Sequence, residues 1–153
     1  NIAVFAGLFM GEGTIYLTPI KKIYNNRIYY GMTPTIGVSN TDRAIIDFCK
    51  AFLINFKVYE TEYPSKGVKK KSWVLRISRQ KHILETLHLI RSYLIGDKAR
   101  LADLMIEFCS RPKTKRYEGR DLEIYHQIRN LNGRGKRGNK IYEAFLAYLS
   151  SRR

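Results

Sequence analysis

A run of apolar residues near the start of the chain contains two glycines four positions apart and ends at an isolated acidic residue. In the segment 5–13 these glycines are Gly7 and Gly11. Residues four apart lie on one face of a helix, and small residues there let a second helix approach closely. Each glycine inside a helix costs about 1 kcal/mol relative to alanine. The segment therefore predicts a helix over residues 1–11 whose packing against a second helix outweighs that cost.

Glu12 is the only acidic residue among the first 41 residues. It follows the predicted helix, at the end where the helix dipole disfavours a negative charge. Gly13 suits a tight exit from the helix into a strand. A carboxylate placed badly for folding, close to basic segments of the chain, is best explained by a metal site.

The net charge of +15 predicts a polyanionic partner, most commonly nucleic acid, although a ribosomal or membrane-surface protein would look similar. The distribution is more informative than the total. Residues 13–40 contain three basic and no acidic residues, residues 56–79 seven against two, and residues 111–140 ten against three, whereas 41–55 and 80–110 are neutral. Basic runs are most often solvated surface, but neutral helices beside basic hairpins favour a dedicated binding face.

The pattern of apolar, turn and capping residues predicts an α+β fold of the order αββαββα. The expected sheet has four antiparallel strands in a saddle, with helices on one face and extra C-terminal helices. Its strands are predicted at 14–24 and 27–39, joined by Asn25–Asn26, and near 56–63 and 70–78. The later helices are predicted at 42–53 with Thr41 as N-cap, 80–93 with Ser78 as cap, 97–109 after a break at Gly96, 119–131 and 141–150. We expect one domain over 1–153, with a core of about 1–110 and a helical, basic extension of about 111–153.

The segment Phe5-Ala6-Gly7-Leu8-Phe9-Met10-Gly11-Glu12-Gly13 resembles the signature of the LAGLIDADG homing endonucleases. The order of helices and hairpins extends this resemblance over most of the chain. In that family the motif helices pack together across a dimer or pseudo-dimer interface, and the last acidic residue binds a divalent metal. Two positions depart from the family's pattern: Glu12 stands in place of its final Asp, and Met10 stands in place of its first Asp. The resemblance implies a dimer interface of Ala6, Gly7, Met10 and Gly11, and a site for Mg²⁺ at Glu12 with Gly11.

The resemblance also implies two further catalytic side chains. A polar residue ends the second strand in the family, and Asn40 stands at that place, where it would order water; an ordinary turn residue is the alternative. A lysine lies beyond the second hairpin, and Lys98 fits this position, with Arg100 and Lys81 as competitors. Lys98 would stabilise charge that develops on the phosphate.

Strand alternation predicts which side chains face DNA, because neighbouring residues point to opposite faces of a sheet. A slip at a bulge would exchange the two faces. Arg134, Lys136 and Arg137 of the Gly-rich tail resemble the family's phosphate-contacting loop, although a flexible linker would have a similar composition. The residues predicted on the sheet's DNA face are Tyr16, Thr18, Lys22, Tyr24, Thr33, Thr35, Tyr59, Thr61, Lys70, Ser72 and Arg76.

Together these features predict an intron-encoded, site-specific homing endonuclease. Because one chain carries one motif, we expect a homodimer, and the resemblance implies that it cuts a long, roughly palindromic double-stranded DNA with Mg²⁺ and leaves four-base 3′ overhangs. An intron-splicing maturase that binds intron RNA, or a non-cleaving regulator on the same fold, is the alternative. A basic structural RNA-binding protein is a third possibility, to which the 11 tyrosines would contribute stacking.

The remaining reactive residues suggest no other chemistry. Cys49 and Cys109 lack zinc-site spacing, and the three histidines are scattered. No apolar run approaches the roughly 20 residues needed to span a bilayer, so no membrane partner is expected. The two free thiols and the absence of a basic leader favour an intracellular location, in the cytoplasm of a prokaryote or in an organelle.

Overall fold

The computed structural model describes residues 1–64, 67, 70–112, 117, 119–135 and 138–151. Within them the chain forms four strands, six α-helices and one 3-10 turn. In chain order these are α1 (Ile2–Glu12), β1 (Gly13–Tyr24), β2 (Arg27–Asn40), α2 (Arg43–Phe52), β3 (Tyr59–Tyr63), β4 (Ser72–Ile77), α3 (Gln80–Ile90), the 3-10 turn (Arg91–Tyr93), α4 (Gly96–Ser110), α5 (Gly119–Leu131) and α6 (Lys140–Ser150).

The strands form one open antiparallel sheet in the order β1-β2-β4-β3. The first hairpin is long, since β1 and β2 pair from Gly13↔Val38 to Tyr24↔Arg27. Strand β4 pairs only with the C-terminal part of β2, from Ile36↔Ile77 to Asn40↔Trp73. The distal half of the first hairpin therefore projects beyond the rest of the sheet. This arrangement confirms the predicted α+β fold and its four-stranded antiparallel sheet.

Alternation along the strands separates a helix-covered face from an open face. Ile15, Ile36 and Leu75 are each 1% exposed and lie in one core with Phe5 and Phe9 of α1. Burying such side chains contributes roughly 1.5–3 kcal/mol each relative to leaving them in water. The residues between them along each strand point to the opposite side of the sheet, which is the open face.

The first turn was predicted correctly, and two predicted caps were wrong. Asn25 and Asn26 both have positive φ, 48° and 57°, as a tight hairpin turn requires. Helix α2 is capped by Asp42, whose side chain accepts from the Ala44 N–H, rather than by Thr41. The shift arises because the Asn40 side chain accepts the Asp42 N–H at 2.8 Å and forms its own turn.

Helix α3 also begins without the predicted Ser78 cap. Arg79 occupies the N-cap position and makes no side-chain capping bond, whereas the Ser78 hydroxyl lies 3.3 Å from that of Thr35. Helix α3 ends at Ile90, three residues before the predicted end, and the chain continues as the 3-10 turn before Gly96 begins α4 with φ of +57°.

The C-terminal helices pack along β1 and share the main core. Ile124, Tyr125 and Phe145 belong to the same buried cluster as the sheet residues. Tyr117 joins this region to β2, because its hydroxyl accepts the Met32 N–H at 2.8 Å. Among the helices that the structure describes, none combines the length and the apolar character needed to cross a membrane.

Candidate nucleic-acid interface and cleavage centre

Helix α1 presents small residues on a face that none of the described residues of the subunit covers. Phe5, Ala6 and Phe9 are buried, whereas Gly7 and Gly11 are exposed. A Cβ added at either glycine would meet nothing within 4 Å. The packing of this subunit therefore gives no reason for the two glycines, and their cost in helix stability points to a contact outside it.

Ala6 does not belong to the predicted interface, because it is 0% exposed in the core of its own subunit. Its position follows from the helical step of about 100° per residue, which turns Ala6 towards the buried side with Phe5 and Phe9. Met10 is half-buried. The exposed strip of small residues is therefore Ala3, Gly7 and Gly11.

Glu12, Gly13 and Lys98 meet where α1 ends and β1 begins. The Glu12 side chain is exposed, and within the described part of the chain it makes no hydrogen bond or ion pair. The Lys98 ammonium, from the first turn of α4, donates to the Gly13 carbonyl oxygen and lies 5.9 Å from the Phe9 ring centre. Burial lowers the pKa of Lys98 below the ordinary lysine value. The fold thus places a partly buried ammonium on the carbonyl of the residue that follows the exposed Glu12.

The two competitors of Lys98 are engaged elsewhere. Arg100 pairs with Asp97 at 3.3 Å on the exposed side of α4. Lys81 lies on α3 and approaches Glu85 at 3.7 Å. Of these three cations, Lys98 is the one that contacts the end of the motif helix.

The atoms that could bind a metal at the end of α1 are oxygen atoms. Among the described residues there is no cluster of three or more His, Cys, Asp or Glu side chains. His82 instead accepts the Lys57 N–H at 2.8 Å, and His126 lies 2.8 Å from the Tyr142 hydroxyl. A cation at the end of α1 would have the Glu12 carboxylate and the adjacent Gly11 carbonyl, which are hard ligands suited to Mg²⁺.

Asn40 ends β2, but on the side of the sheet that faces the helices. It pairs with Trp73 and follows the inward alternation of Ile36 and Val38. Its neighbour Ser39 points to the open face, where it lines a groove with Thr14. Sequence reasoning missed Ser39 and Thr14 as candidates, although the strand alternation that identified the other outward residues includes both.

The open face carries the predicted DNA-contacting residues of all four strands. Thr35 differs from the others because it is only 4% exposed and its hydroxyl faces that of Ser78. Arg27, Tyr29 and Tyr63 also lie on this face and were missed, although they share the alternation of their predicted neighbours. The predicted residues of this face are Tyr16, Thr18, Lys22 and Tyr24 on β1, Thr33 and Thr35 on β2, Tyr59 and Thr61 on β3, and Ser72 and Arg76 on β4, with exposed Lys70 preceding β4.

Arg76 is held in place on this surface by β3. Its guanidinium donates to the Thr61 hydroxyl at 3.3 Å and to the Tyr63 hydroxyl at 2.7 Å, and it lies 5.5 Å from the Tyr63 ring centre. A guanidinium fixed in this way loses less conformational entropy when it binds a phosphate or a base edge.

The acidic residues of the second hairpin do not face the groove. Glu60 points towards α2, where Arg43 and Lys50 donate to its carboxylate. Those two bonds, the one from Lys50 first, lower the pKa of Glu60 below its usual value. Glu62 pairs with Lys71 at 2.8 Å. Neutralised acids on the side of the helices leave the open face with a positive character.

Arg134 lies in the segment between α5 and α6, which we call the C-terminal loop, and it borders the same groove. The loop lies against β1, and the groove is lined by Thr14, Ile15, Tyr16, Ser39, Val74, Arg76, Asn132 and Arg134. The other two predicted loop residues, Lys136 and Arg137, lie outside the described residues.

Solved structures with a similar fold are DNA complexes of homing endonucleases. I-CvuI bound to the I-CreI target is 16% identical, with a TM-score of 0.61 over 97% of this chain and 94% of that chain. The archaeal intron-encoded I-Vdi141I bound to DNA is 11% identical, with a TM-score of 0.62 over 97% and 92%. I-SmaMI bound to cleaved DNA is 16% identical, with a TM-score of 0.63 over 96% of this chain but only 48% of that chain. At these identities the likeness establishes the fold.

The sequence itself matches a family model. Among curated proteins, none matches the sequence significantly. The family model of the LAGLIDADG-like domain, however, matches residues 1–91, which include the motif helix and the whole sheet. Since this match covers more than half of the chain, the protein belongs to the LAGLIDADG family.

Proposed function

We propose that this protein is a site-specific homing endonuclease that makes metal-dependent double-strand breaks in DNA as a homodimer. The observation that carries the proposal is the exposed Glu12 carboxylate, followed by the Gly13 carbonyl that Lys98 binds, at the end of a helix whose glycine face is uncovered. The neighbours I-CvuI and I-Vdi141I are homing endonucleases in complex with DNA, which supports the same partner here.

The dimer follows from the number of carboxylates and from the exposed helix face. One chain supplies one Glu12, which is too few for a hydrolysis that acts on both strands. Two copies of α1 that cross at Gly7 and Gly11 would bring both Glu12 carboxylates to a two-fold axis. The two sheets would then form a continuous basic saddle on a long, roughly palindromic target, cut near its middle with four-base 3′ overhangs.

Each residue of the centre has a distinct role in this proposal. The Glu12 carboxylate and the Gly11 carbonyl hold the divalent cation, which when bound supplies Lewis-acid activation of water and of the leaving oxygen. Lys98 stabilises the negative charge that develops on the phosphate, because a partly desolvated ammonium interacts more strongly than one in water. Asn40 has no role in this centre, because it lies on the helix-covered side of the sheet and its side-chain oxygen accepts the Asp42 N–H in a turn.

The open face positions the DNA and reads its sequence. A two-stranded ribbon fits the major groove, where Tyr, Thr, Lys and Arg side chains reach base edges and phosphates. Lys22, Lys70, Arg76 and Arg134 add affinity that does not depend on the sequence, through contacts with phosphates. Lys136 and Arg137 extend that proposed contact along the C-terminal loop.

The test compares the wild type with Glu12→Gln on a pool of duplex DNA, in Mg²⁺ and in EDTA. We expect the wild type to cut a defined site only with Mg²⁺, and Glu12→Gln to bind the same DNA without cutting it. Glu143→Gln, which removes an exposed carboxylate on α6, serves as the matched control and should cut normally. If the wild type binds nucleic acid but cuts no duplex in the pool, the endonuclease proposal fails, and a preference for structured RNA would then identify a maturase.

A further inference from the structure

The Asn132 side chain fastens the loop between α5 and α6 to the first strand. The Asn132 amide nitrogen donates to the Ile15 carbonyl oxygen at 2.8 Å, although the two residues are 117 positions apart in the chain. Strand β1 lies at the edge of the sheet, so part of its backbone has no strand partner. Asn132 thus supplies a hydrogen bond that β1 cannot obtain within the sheet.

The loop beyond Asn132 is held in a fixed shape by α5. The Arg134 N–H donates to the Arg129 carbonyl, and the Arg129 guanidinium donates to the Arg134 carbonyl, each at 2.8 Å. Arg129 in turn donates to the Tyr125 hydroxyl at 3.2 Å. Gly133 has a φ of +68°, which glycine adopts without strain. Arg134 therefore cannot move independently of Asn132 without breaking this set of bonds.

The anchoring point is close to the proposed cleavage centre. Ile15 is two residues from Gly13, whose carbonyl accepts from Lys98. Arg134 lines the groove together with Thr14 and Tyr16, the two neighbours of Ile15. The bond from Asn132 to Ile15 consequently holds the backbone that carries Arg134 near the start of β1.

We infer that Asn132 is a positioning residue, which holds the exposed Arg134 guanidinium on the groove so that it binds a DNA phosphate beside the cleavage centre. This inference rests on the DNA binding in the proposed function, but not on cleavage. Without the anchor, the loop that carries Arg134 is held by α5 but is no longer fastened to β1, so the phosphate contact loses its geometric advantage.

The experiment measures the salt dependence of binding to a non-specific DNA duplex in EDTA. Each phosphate contact contributes a slope of about 0.9 to the plot of log affinity against log salt concentration. For a dimer, Arg134→Ala and Asn132→Ala should each lower the slope by about 2. Between 50 and 200 mM salt, the wild-type affinity should therefore fall roughly tenfold more than that of either variant.

The double variant and a matched amide control make the result specific. The double variant Asn132→Ala/Arg134→Ala should have the same slope as Arg134→Ala alone, because the two substitutions remove the same phosphate contact. Gln127→Ala removes an exposed amide from α5, the helix that precedes Asn132, and should leave the slope unchanged. All slopes are taken below the melting transition of each variant, so a loss of stability cannot mimic a lost contact.

The two possible failures are distinguishable. A wild-type slope in Asn132→Ala, or additive effects in the double variant, would overturn the positioning role and leave the endonuclease proposal intact. Failure of the wild type to bind duplex DNA at all would overturn the proposed function as well.

Discussion

Gly13 connects the motif helix to the sheet at a point where there is no room for a side chain. Its backbone is extended, with φ of −74°, so the requirement for glycine does not come from a left-handed conformation. An added Cβ would lie 2.3 Å from the Phe9 carbonyl oxygen and 2.6 Å from the Phe9 ring. Glycine at position 13 therefore lets the backbone after Glu12, with the carbonyl that Lys98 binds, pack closely against Phe9.

We predict that Gly13→Ala destabilises the subunit by about 1–3 kcal/mol, because backbone and a buried ring must both move. Urea denaturation followed by circular dichroism measures the change. Gly119→Ala is the control, since a Cβ there meets nothing within 4 Å and α5 should gain or keep stability. Equal stability of Gly13→Ala and the wild type would show that the junction relaxes easily.

Lys98 gives a prediction about pH. Burial lowers its pKa below 10.5, so the ammonium is present at lower pH and is lost as the pH rises through the lowered value. If its positive charge stabilises the phosphate, the cleavage rate should fall on the alkaline side at a pH below the ordinary lysine pKa. Single-turnover cleavage measured between pH 7 and 10 tests this.

Lys98→Arg is the informative comparison, because arginine stays charged over this range. Its rate should be lower overall but should show no alkaline fall, whereas Lys98→Ala should lose about 10²–10³-fold at pH values where the wild-type ammonium is protonated, and this difference should shrink as the pH rises. The same alkaline fall in Lys98→Arg would assign that titration to another group.

Helix α1 exposes an apolar strip that a lone subunit would leave in water. Gly7→Leu adds bulk to open space, so the isolated subunit should stay folded. Two copies of the helix, however, could no longer approach closely. We predict that this variant is monomeric by analytical ultracentrifugation and does not cut DNA. Ala44→Leu adds bulk to an exposed position of α2 and should remain dimeric and active. A dimeric, active Gly7→Leu would place the subunit contact elsewhere.

Local sequence patterns predicted most of the helices and strands. Helix α5 begins and ends at the predicted residues 119 and 131, and the first hairpin turns at Asn25–Asn26, because periodicity and turn residues are local signals. The cap at Thr41 was wrong because the Asn40 and Asp42 side chains bond the backbone there. The cap at Ser78 was wrong because the Ser78 hydroxyl lies against that of Thr35. The phase of α1 was wrong at Ala6, since the glycines mark one face but do not fix how far the core extends around the helix.

The candidate site was less accessible to sequence reasoning, because its contacts join distant segments. Lys98 and Gly13 are 85 positions apart, and Asn132 and Ile15 are 117 apart. No local pattern encodes such pairs; the resemblance to a family suggested the first, and only the folded structure showed the second. Strand alternation alone would have identified Thr14 and Ser39.

The charge of the whole molecule is separated between its two sides. The open face and the C-terminal loop carry cationic residues such as Lys22, Arg76 and Arg134, whereas acidic residues such as Glu60 and Glu107 are paired with arginine or lysine near the helices. A net charge of +15 in 153 residues also means that the compact fold resists its own repulsion. DNA phosphates would relieve this repulsion, so binding and stability are linked.

Salt should therefore act in opposite directions on the free protein and on its DNA complex. Screening weakens the repulsion among the cationic residues, so the melting temperature of the free protein should rise between 50 and 500 mM NaCl. Added duplex DNA should raise the melting temperature strongly at low salt and little at high salt, because counterion release no longer favours binding. Differential scanning calorimetry with and without DNA measures both effects. A melting temperature of the free protein that falls with salt would mean that ion pairs such as Arg43–Glu60 outweigh the repulsion, and the charge separation would then stabilise the fold even without DNA.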